Sequence, residues 1–255
     1  MRYTLGVDFG GGASKATLLS EAGEKICSAS GEYSMRFPEN GWAEQDPEEI
    51  YRVFVGNIRT ILDKSGVAAG DISALSLDGG THIAVLLDER DEVIRPAIYW
   101  SDTRSARQAS VLEPFRERIS ALAYNPPSPI WTLPQLMWLR EEEPENFKRI
   151  NRILFLKDYI RWRLTGEFVT DSIEAMGAML LDADTGKWDP WLCALCGIDP
   201  AMLPPIAEPV EVVGTPTAAA CAETGLSPRT KVCAGATDTA MEVYAAGAVK
   251  KGQAT

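Results

Sequence analysis

Two aspartates in this sequence stand in segments that could serve phosphoryl chemistry. Asp8 ends an apolar run and is followed closely by Gly10, Gly11 and Gly12. A carboxylate at a strand end can hold Mg²⁺, usually through water. Glycines beside it let the backbone approach a phosphate with its amides directed at the anion. The segment is therefore a candidate site for a metal-bound phosphate.

The residues after these glycines exclude two common nucleotide motifs. The spacing G-x-x-x-x-G-K-[ST] of a Walker A loop is absent. The segment that begins with Ser14 and Lys15 has the pattern of a strand, whereas a dinucleotide fingerprint requires a helix there. An ordinary glycine hairpin with a surface aspartate remains an alternative, because glycine turns are common.

Asp238 is the second candidate, in the segment Ala-Gly-Ala-Thr-Asp-Thr-Ala at residues 234–240. A carboxylate here could act as a general base that orients a substrate hydroxyl for in-line attack on a phosphoryl group. The alternative is a helix cap, the usual function of an aspartate at a helix start.

A third group of residues has side chains suited to a polyhydroxylated ligand. Trp100 offers an apolar surface for the C–H face of a sugar, and Asp102 and Arg104 offer an acceptor and donors for its hydroxyls. Helix capping by Asp102 and a solvated Arg104 are the alternative. His82 is the single histidine, and no His/Cys cluster accompanies it as a metal site would require.

The elements that carry these residues can be predicted from hydrophobic patterning. Residues 3–8, 14–20 and 25–33 predict three strands joined by turns, which form an antiparallel meander. A helix is predicted to begin after Asp46 as N-cap, with Pro47 in its first turn and Glu49 completing a capping box.

The remainder of the chain alternates between strands and helices. Residues 71–77 and 83–87 predict further strands, and residues 103–205 are predicted to be largely helical. A short strand at 231–236 leads into a helix capped by residues 237–238. Strands interrupted by helices place the chain in the α/β class.

Composition limits the classes of partner. The chain has 255 residues, a formal net charge of −11 and 45% hydrophobic residues. Such a charge repels nucleic-acid phosphates and anionic lipids, so we expect neither nucleic acid nor membrane as a partner. No apolar run is long enough for a membrane span, and no signal peptide is recognised. Five irregularly spaced cysteines favour a reducing, cytoplasmic setting.

The order and spacing of these segments resemble those of the FGGY carbohydrate kinases over nearly the whole chain, and the xylulose kinase branch most. The matching segments are residues 6–10 with Ser14 and Lys15, 41–47, 79–82, 95–104, 157–159, 164–167, 170–171 and 234–238. One departure is Gly11, because the family usually has Thr or Ser after the first motif's glycine.

The resemblance implies an actin-like, ribonuclease H-like domain with inserted helices. It implies that Asp238 is the catalytic base and that Asp8 faces Mg²⁺. It also implies that Gly10, Gly11, Gly12, Ser14 and Lys15 help to bind the phosphates of ATP. It also implies a sugar pocket lined by Thr81, His82, Trp100, Asp102, Arg104 and Asp171. Residues 1–245 would form the N-terminal sugar-binding domain, and residues 246–255 would begin a C-terminal ATP-binding domain.

The implied activity is ATP-dependent phosphorylation of a small sugar, with a ketopentose such as xylulose favoured. Without the second domain, we expect the chain alone to be inactive, and a homodimer is one assembly that the family allows. Two alternatives are an ATPase switch of the same fold without a sugar substrate, which the fold alone does not exclude, and an inactive sugar-binding protein.

Overall fold

The computed structural model describes residues 2–248, 250 and 252–253. The strands, in chain order, are β1 (Tyr3–Phe9), β2 (Ala13–Ser20), β3 (Lys25–Glu32), β4 (Met35–Arg36), β5 (Glu44–Gln45), β6 (Ile72–Gly79), β7 (Ala84–Leu87), β8 (Ala97–Ile98), β9 (Arg152–Phe155), β10 (Thr170–Asp171), β11 (Leu181–Asp182), β12 (Lys187–Trp188), β13 (Ile206–Ala207), β14 (Val212–Gly214), β15 (Lys231–Cys233) and β16 (Ala236–Thr237). The helices are α1 (Pro47–Ser65), α2 (Ala106–Val111), α3 (Arg116–Ala123), α4 (Thr132–Glu142), α5 (Pro144–Lys148), α6 (Leu156–Thr165), α7 (Ser172–Gly177), α8 (Pro190–Cys196), α9 (Ala218–Thr224) and α10 (Asp238–Ala245).

The main sheet is mixed and has the order β14-β15-β6-β1-β2-β3, with β16 also paired to β6. β1, β2 and β3 form the predicted antiparallel meander. β6 lies parallel to β1, and both β15 and β16 lie parallel to β6. The carboxyl ends of β1, β6 and β16 therefore meet at one edge, which is where a mixed sheet of this kind can collect polar side chains.

Helix α1 packs across this sheet as its sequence predicts. Ile50, Phe54 and Ile58 of its apolar stripe are each at most 1% exposed. The Asp46 carboxylate caps the helix by accepting from the Glu48 N–H at 3.0 Å. The predicted capping box is wrong, because the Glu49 carboxylate accepts instead from the backbone N–H and the hydroxyl of Ser34.

The predicted strand at 231–236 is interrupted, because the chain bends at Gly235. Gly235 has a φ of +83°, and a Cβ there would lie 2.1 Å from the Leu77 carbonyl oxygen. Only glycine combines this backbone conformation with so close an approach to β6. The bend separates β15 from β16 and directs the start of α10 to the carboxyl end of β6.

Two apolar clusters support the fold. One lies between the main sheet and α1, α6 and α9. The other lies among the helices of the middle region, chiefly α4 and α8, and includes the buried pair Cys193 and Cys196. The predicted start of a second domain at 246–255 lies partly outside the described residues, so that boundary stays a prediction.

Candidate functional site

Three aspartates lie at the carboxyl ends of adjacent parallel strands. The β1–β6 register places Asp8 opposite Asp78. The β6–β16 register pairs Ala236 with Asp78, so that Asp238 follows two residues later at the start of α10. These aspartates line an open cleft of about 410 Å³, together with Gly10, Met241, Glu242 and Ala245. The fold thus brings together the two aspartates singled out in the sequence and adds a third.

Burial, together with the close approach of these carboxyls, raises the pKa values of Asp8 and Asp78. Burial raises the pKa of Asp78 to about 7, and the negative charges of Asp8 and Asp238 contribute to the rise. Burial also raises the pKa of Asp8, although a hydrogen bond with Asp78 works in the opposite direction. The hydrogen bond thus raises the pKa of Asp78 and lowers that of Asp8, which places the proton on Asp78, and a cation in the cleft would favour its release.

The donor set of the cleft fits a hydrated magnesium ion. Oδ1 of Asp78 is buried and has no hydrogen-bond donor among the described residues. Carboxylate oxygens are the ligands that Mg²⁺ prefers, and it usually keeps several waters. Across the described ranges, no group of three His, Cys, Asp or Glu side chains is close enough to hold a metal ion directly. Binding through water to Asp8 and Asp78 is the arrangement that the geometry suits.

The glycine hairpin between β1 and β2 presents free amides beside these carboxyls. Its carbonyl groups are turned toward donors: the Tyr33 hydroxyl donates to the Gly10 oxygen at 2.6 Å, and the Gln45 side chain donates to the Gly11 oxygen at 2.8 Å. The N–H groups of Gly11 and Gly12 donate to no residue that the structure describes. Amides left free in this way can receive an anion.

The two residues predicted to assist this hairpin lie on opposite faces of the sheet. Lys15 is exposed and lies opposite Asp8 in the β1–β2 register, where its charge partly opposes the rise that burial causes in the pKa of Asp8. Ser14 is 0% exposed and its hydroxyl accepts from Asn57 of α1 at 3.4 Å. The prediction that Ser14 binds phosphate is therefore contradicted, because alternate strand residues point to opposite faces.

Thr81 and His82 follow β6 directly, close to the acidic cleft in sequence. His82 has a φ of +50° and its ring packs against Trp131 with a centroid distance of 4.8 Å. Burial lowers the pKa of His82 to about 4, so the ring is neutral at physiological pH. Its Nδ1 has no partner among the described residues, whereas its backbone N–H donates to Glu174. A neutral imidazole with an unpaired nitrogen can still accept one hydrogen bond from a ligand or donate one to it.

Trp100 keeps the exposure that a sugar platform needs. The residue is 42% exposed and its indole lies beside the turn after β6, where a Cβ on Gly80 would be 3.6 Å from the indole Cδ1. Its position as an apolar surface near Thr81 and His82 agrees with the predicted sugar-side role, which stays a proposal.

Asp102 and Arg104 are not available to a ligand, which contradicts their predicted sugar-lining role. The two side chains are 0% and 1% exposed and bind each other at 2.8 Å. Asp102 also accepts from the Ala43 N–H at 2.6 Å. Arg104 pairs with Glu44 at 2.8 Å and stacks over Trp42 at 3.9 Å. The hydrogen-bonding groups of Asp102 and Arg104 thus pair with each other or join the loop to β5.

Asp171 likewise has a structural function in place of the predicted sugar contact. It is 0% exposed and caps α7 by accepting from the N–H groups of Ile173 and Glu174. Its second oxygen pairs with the buried Lys157 at 2.5 Å. A sugar could reach this carboxylate only by displacing the lysine.

The sequence patterns did not predict Asp78 as part of the site. Asp78 lies within a strand predicted from its apolar neighbours, and only the parallel pairing of β6 with β1 places it against Asp8. The sequence signal for Asp78 was its position at the end of a predicted strand, just before a pair of glycines.

The mixed sheet with inserted helices defines the chain as an α/β protein of the actin-like class. Residues 3–244 match the N-terminal domain of the FGGY family of carbohydrate kinases. The chain is 34% identical to the xylulose kinase of Bacillus subtilis (strain 168) over 254 residues, which are 99% of this chain and 51% of that protein. It is 33% identical to the xylulose kinase of Escherichia coli (strain K12) over 210 residues, which cover 82% of this chain and 43% of that protein.

Solved structures agree with this assignment. The crystal structure of xylulose kinase from Rhodospirillum rubrum matches with a TM-score of 0.95 at 30% identity, covering 98% of this chain and 52% of that chain. This protein therefore belongs to the FGGY family of carbohydrate kinases, and the actin-like, ribonuclease H-like fold is confirmed. The chain spans about half the length of these relatives. In the part of the chain that is described, no helix has the length and apolar character to cross a membrane.

Proposed function

We propose that this chain is the sugar-binding side of an ATP-dependent sugar kinase and carries its catalytic base. The observation that supports this most directly is the meeting of Asp8, Asp78 and Asp238 with the glycine hairpin at one cleft. Free amides can receive the phosphate of a phosphoryl donor, and the paired carboxyls can hold the Mg²⁺ that accompanies it. His82 lies on the adjoining turn after β6, Trp100 lies beside that turn, and both suit a sugar.

In the proposed reaction, a sugar hydroxyl near Asp238 attacks the γ-phosphorus of ATP in line with the leaving ADP. The new bond joins the sugar oxygen to phosphorus, the bond from phosphorus to the bridging oxygen breaks, and ADP leaves with the electron pair. Asp238 accepts the proton of the hydroxyl. Its main contribution is to orient the nucleophile, because such transfers depend on positioning and charge stabilisation.

The remaining residues of the cleft would organise the phosphates. Asp8 and Asp78 would hold Mg²⁺ through water, and the ion would offset the negative charge that develops on the phosphate oxygens. The Gly11 and Gly12 amides would fix the γ-phosphate, and Lys15 would add a positive charge beside Asp8. A ketopentose of the xylulose type is the favoured substrate, since the curated relatives named above are xylulose kinases.

Substitution of the proposed base tests this function. We expect Asp238→Asn to lower kcat for sugar phosphorylation by the full-length protein roughly 10²- to 10⁴-fold, the range typical of a lost general base. The sugar KM should change little, since the amide keeps the size of the side chain. Asp63→Asn, at an exposed position of α1, is the matched control. Unchanged turnover by Asp238→Asn would refute the assignment of the base.

A further inference from the structure

Tyr99 lies over the glycine hairpin, and no function was predicted for it from the sequence. It follows β8, and its backbone N–H donates to the Ala43 carbonyl at 2.9 Å. A Cβ built on Gly11 would lie 2.9 Å from the Tyr99 hydroxyl oxygen and 3.6 Å from the ring carbon that bears it. The phenol therefore occupies the space that a side chain at position 11 would fill.

The surroundings of this hydroxyl keep it protonated. Burial raises the pKa of Tyr99, and the Asp238 carboxylate adds to the rise, while the Trp100 indole partly opposes it. The Tyr99 and Trp100 rings are 5.6 Å apart. Tyr99 thus lies between the hairpin and the proposed sugar surface as a neutral hydrogen-bond donor.

The proton of this hydroxyl is free for a ligand. The neighbouring Tyr33 hydroxyl already donates to the Gly10 carbonyl at 2.6 Å. The Tyr99 hydroxyl donates to no acceptor within residues 2–248. With the unpaired N–H groups of Gly11 and Gly12, it makes three uncharged donors at one end of the hairpin. Several donors at one point suit a ligand with several terminal oxygens, such as a phosphoryl group, better than a single sugar hydroxyl.

We propose that Tyr99 binds the transferred phosphoryl group by donating its hydroxyl hydrogen bond to a terminal oxygen, at the position that Gly11 leaves open. This inference rests on the proposed function. A neutral donor can stabilise the charge of the transition state without attracting the three carboxylates of the cleft as strongly as a cation would.

Kinetics of the full-length protein give the first test. We expect Tyr99→Phe to lower kcat roughly 100-fold, as loss of one transition-state donor does, while the sugar KM changes less than twofold. Tyr124→Phe removes the hydroxyl of an exposed tyrosine and should leave both constants unchanged. A Tyr99→Phe enzyme with wild-type kcat overturns the inference and leaves the proposed function standing.

A swap of positions gives the second test. Gly11→Ser alone should be impaired, because its Cβ would meet the Tyr99 hydroxyl. In Tyr99→Leu the space is open, so adding Gly11→Ser should restore a hydroxyl to the same place. We expect the double variant to exceed both single variants in kcat by about 10-fold. Equal harm from Gly11→Ser in both backgrounds overturns the inference.

Anion binding separates failure of the inference from failure of the function. Orthovanadate with Mg²⁺ should raise the unfolding midpoint of this chain, and of Tyr124→Phe, by more than it raises the midpoint of Tyr99→Phe. If the wild-type protein phosphorylates no sugar yet shows this pattern, the proposed function fails and the Tyr99 contact stands. If vanadate with Mg²⁺ stabilises Tyr99→Phe as much as wild type, the contact is refuted.

Discussion

At the scale of single residues, Asp78 is the group whose titration should be visible in the whole protein. Its folded pKa of about 7 lies above the ordinary value of 3.8. Between these two pH values the folded state holds a proton that the unfolded state has lost. Stability therefore falls as pH rises from about 4 to 7.

Removing this carboxylate should flatten that pH dependence. We expect Asp78→Asn to raise the free energy of unfolding at pH 8 by about 2 kcal/mol, a value below the full three-unit shift because the cleft is open to solvent. At pH 4 the two proteins should have similar stability. Urea unfolding at both pH values measures the difference.

The same variant should lose its response to magnesium. Mg²⁺ should stabilise the wild-type chain at pH 8, where Asp78 has lost its proton and the ion would offset the repulsion among the carboxylates of the cleft. Asp78→Asn should show a much smaller gain. Equal stabilisation of both proteins would mean that the ion binds elsewhere.

Asp102 and Arg104 have the residue types of a ligand-binding site, but in the structure they form a buried ion pair that stabilises the fold. Its side chains pair with each other, with Glu44 and with Trp42. Removal of Asp102 would leave a buried guanidinium with one partner fewer.

We therefore expect Asp102→Ala to act on stability and not on ligand binding. The free energy of unfolding should fall by about 3–5 kcal/mol, whereas Asp63→Ala at an exposed site should cost less than about 0.5 kcal/mol. Chemical denaturation measures both. Loss of sugar affinity in an Asp102→Ala protein of unchanged stability would restore the sugar-lining role.

At the scale of secondary-structure elements, a buried charge network on α6 and α7 supports both sides of the site. Lys157 of α6 contacts Asp158 and Asp171 at 2.5 Å each and Glu174 at 3.6 Å, and all four side chains are 0% exposed. Glu174 receives the His82 N–H. Arg161 pairs with Asp158 at 2.9 Å and donates to the Ala234 carbonyl, just before the bend that leads to Asp238.

The charge balance of this network depends on one lysine. Burial raises the pKa of Glu174 to about 8. The charge of Lys157 opposes this rise, and the charges of Asp158 and Asp171 add to it. If the lysine were lost, Asp158 would keep Arg161 as a partner, but the buried carboxylate of Asp171 would have no cation beside it. We expect Lys157→Met to destabilise the chain by about 3–5 kcal/mol.

A surface lysine provides the matched control for this prediction. Lys148 pairs with Glu145 at 2.7 Å, but the two side chains are 69% and 83% exposed. Lys148→Met should change stability by less than about 1 kcal/mol, since such pairs are screened by water. Equal effects of the two substitutions, measured by thermal unfolding, would show that the buried network is not needed for the fold.

At the scale of the whole molecule, the acidic cleft opens at the surface of a chain about half as long as its relatives. The proposed sugar surface and base lie within this chain, whereas a kinase needs groups on both sides of the phosphates and must exclude water. We therefore expect the chain alone to bind a sugar without phosphorylating it.

Thermal unfolding against a panel of sugars tests this expectation. The panel includes D-xylulose, L-xylulose, D-ribulose, L-fuculose, gluconate, erythritol and glycerol. A ligand at 100 times its Kd should add about 2.7 kcal/mol to the free energy of unfolding. Trp100→Ala should lose this gain, while Phe115→Ala, at a similarly exposed aromatic residue, should keep it. Measurable sugar phosphorylation by the chain alone would refute the need for a second domain.

The sequence by itself determined the class of the fold and the ends of the clearest elements. Strand alternation gave β1, β2 and β3, and Asp46 with Pro47 gave the start of α1, because these signals lie within a few residues of each other. It also selected Asp8 and Asp238, since both stand beside glycine-rich segments at element ends.

The tertiary structure decided which polar residues face the cleft and which are buried. The approach of Asp78 to Asp8 depends on a parallel pairing between strands about 70 residues apart, and the cover of Gly11 by Tyr99 joins segments that no local pattern connects. Asp102, Arg104 and Asp171 have the residue types of a ligand site, yet their partners are other side chains of the protein. Residue type sets what a group can bind, but only packing determines whether water, a ligand or another side chain occupies that place.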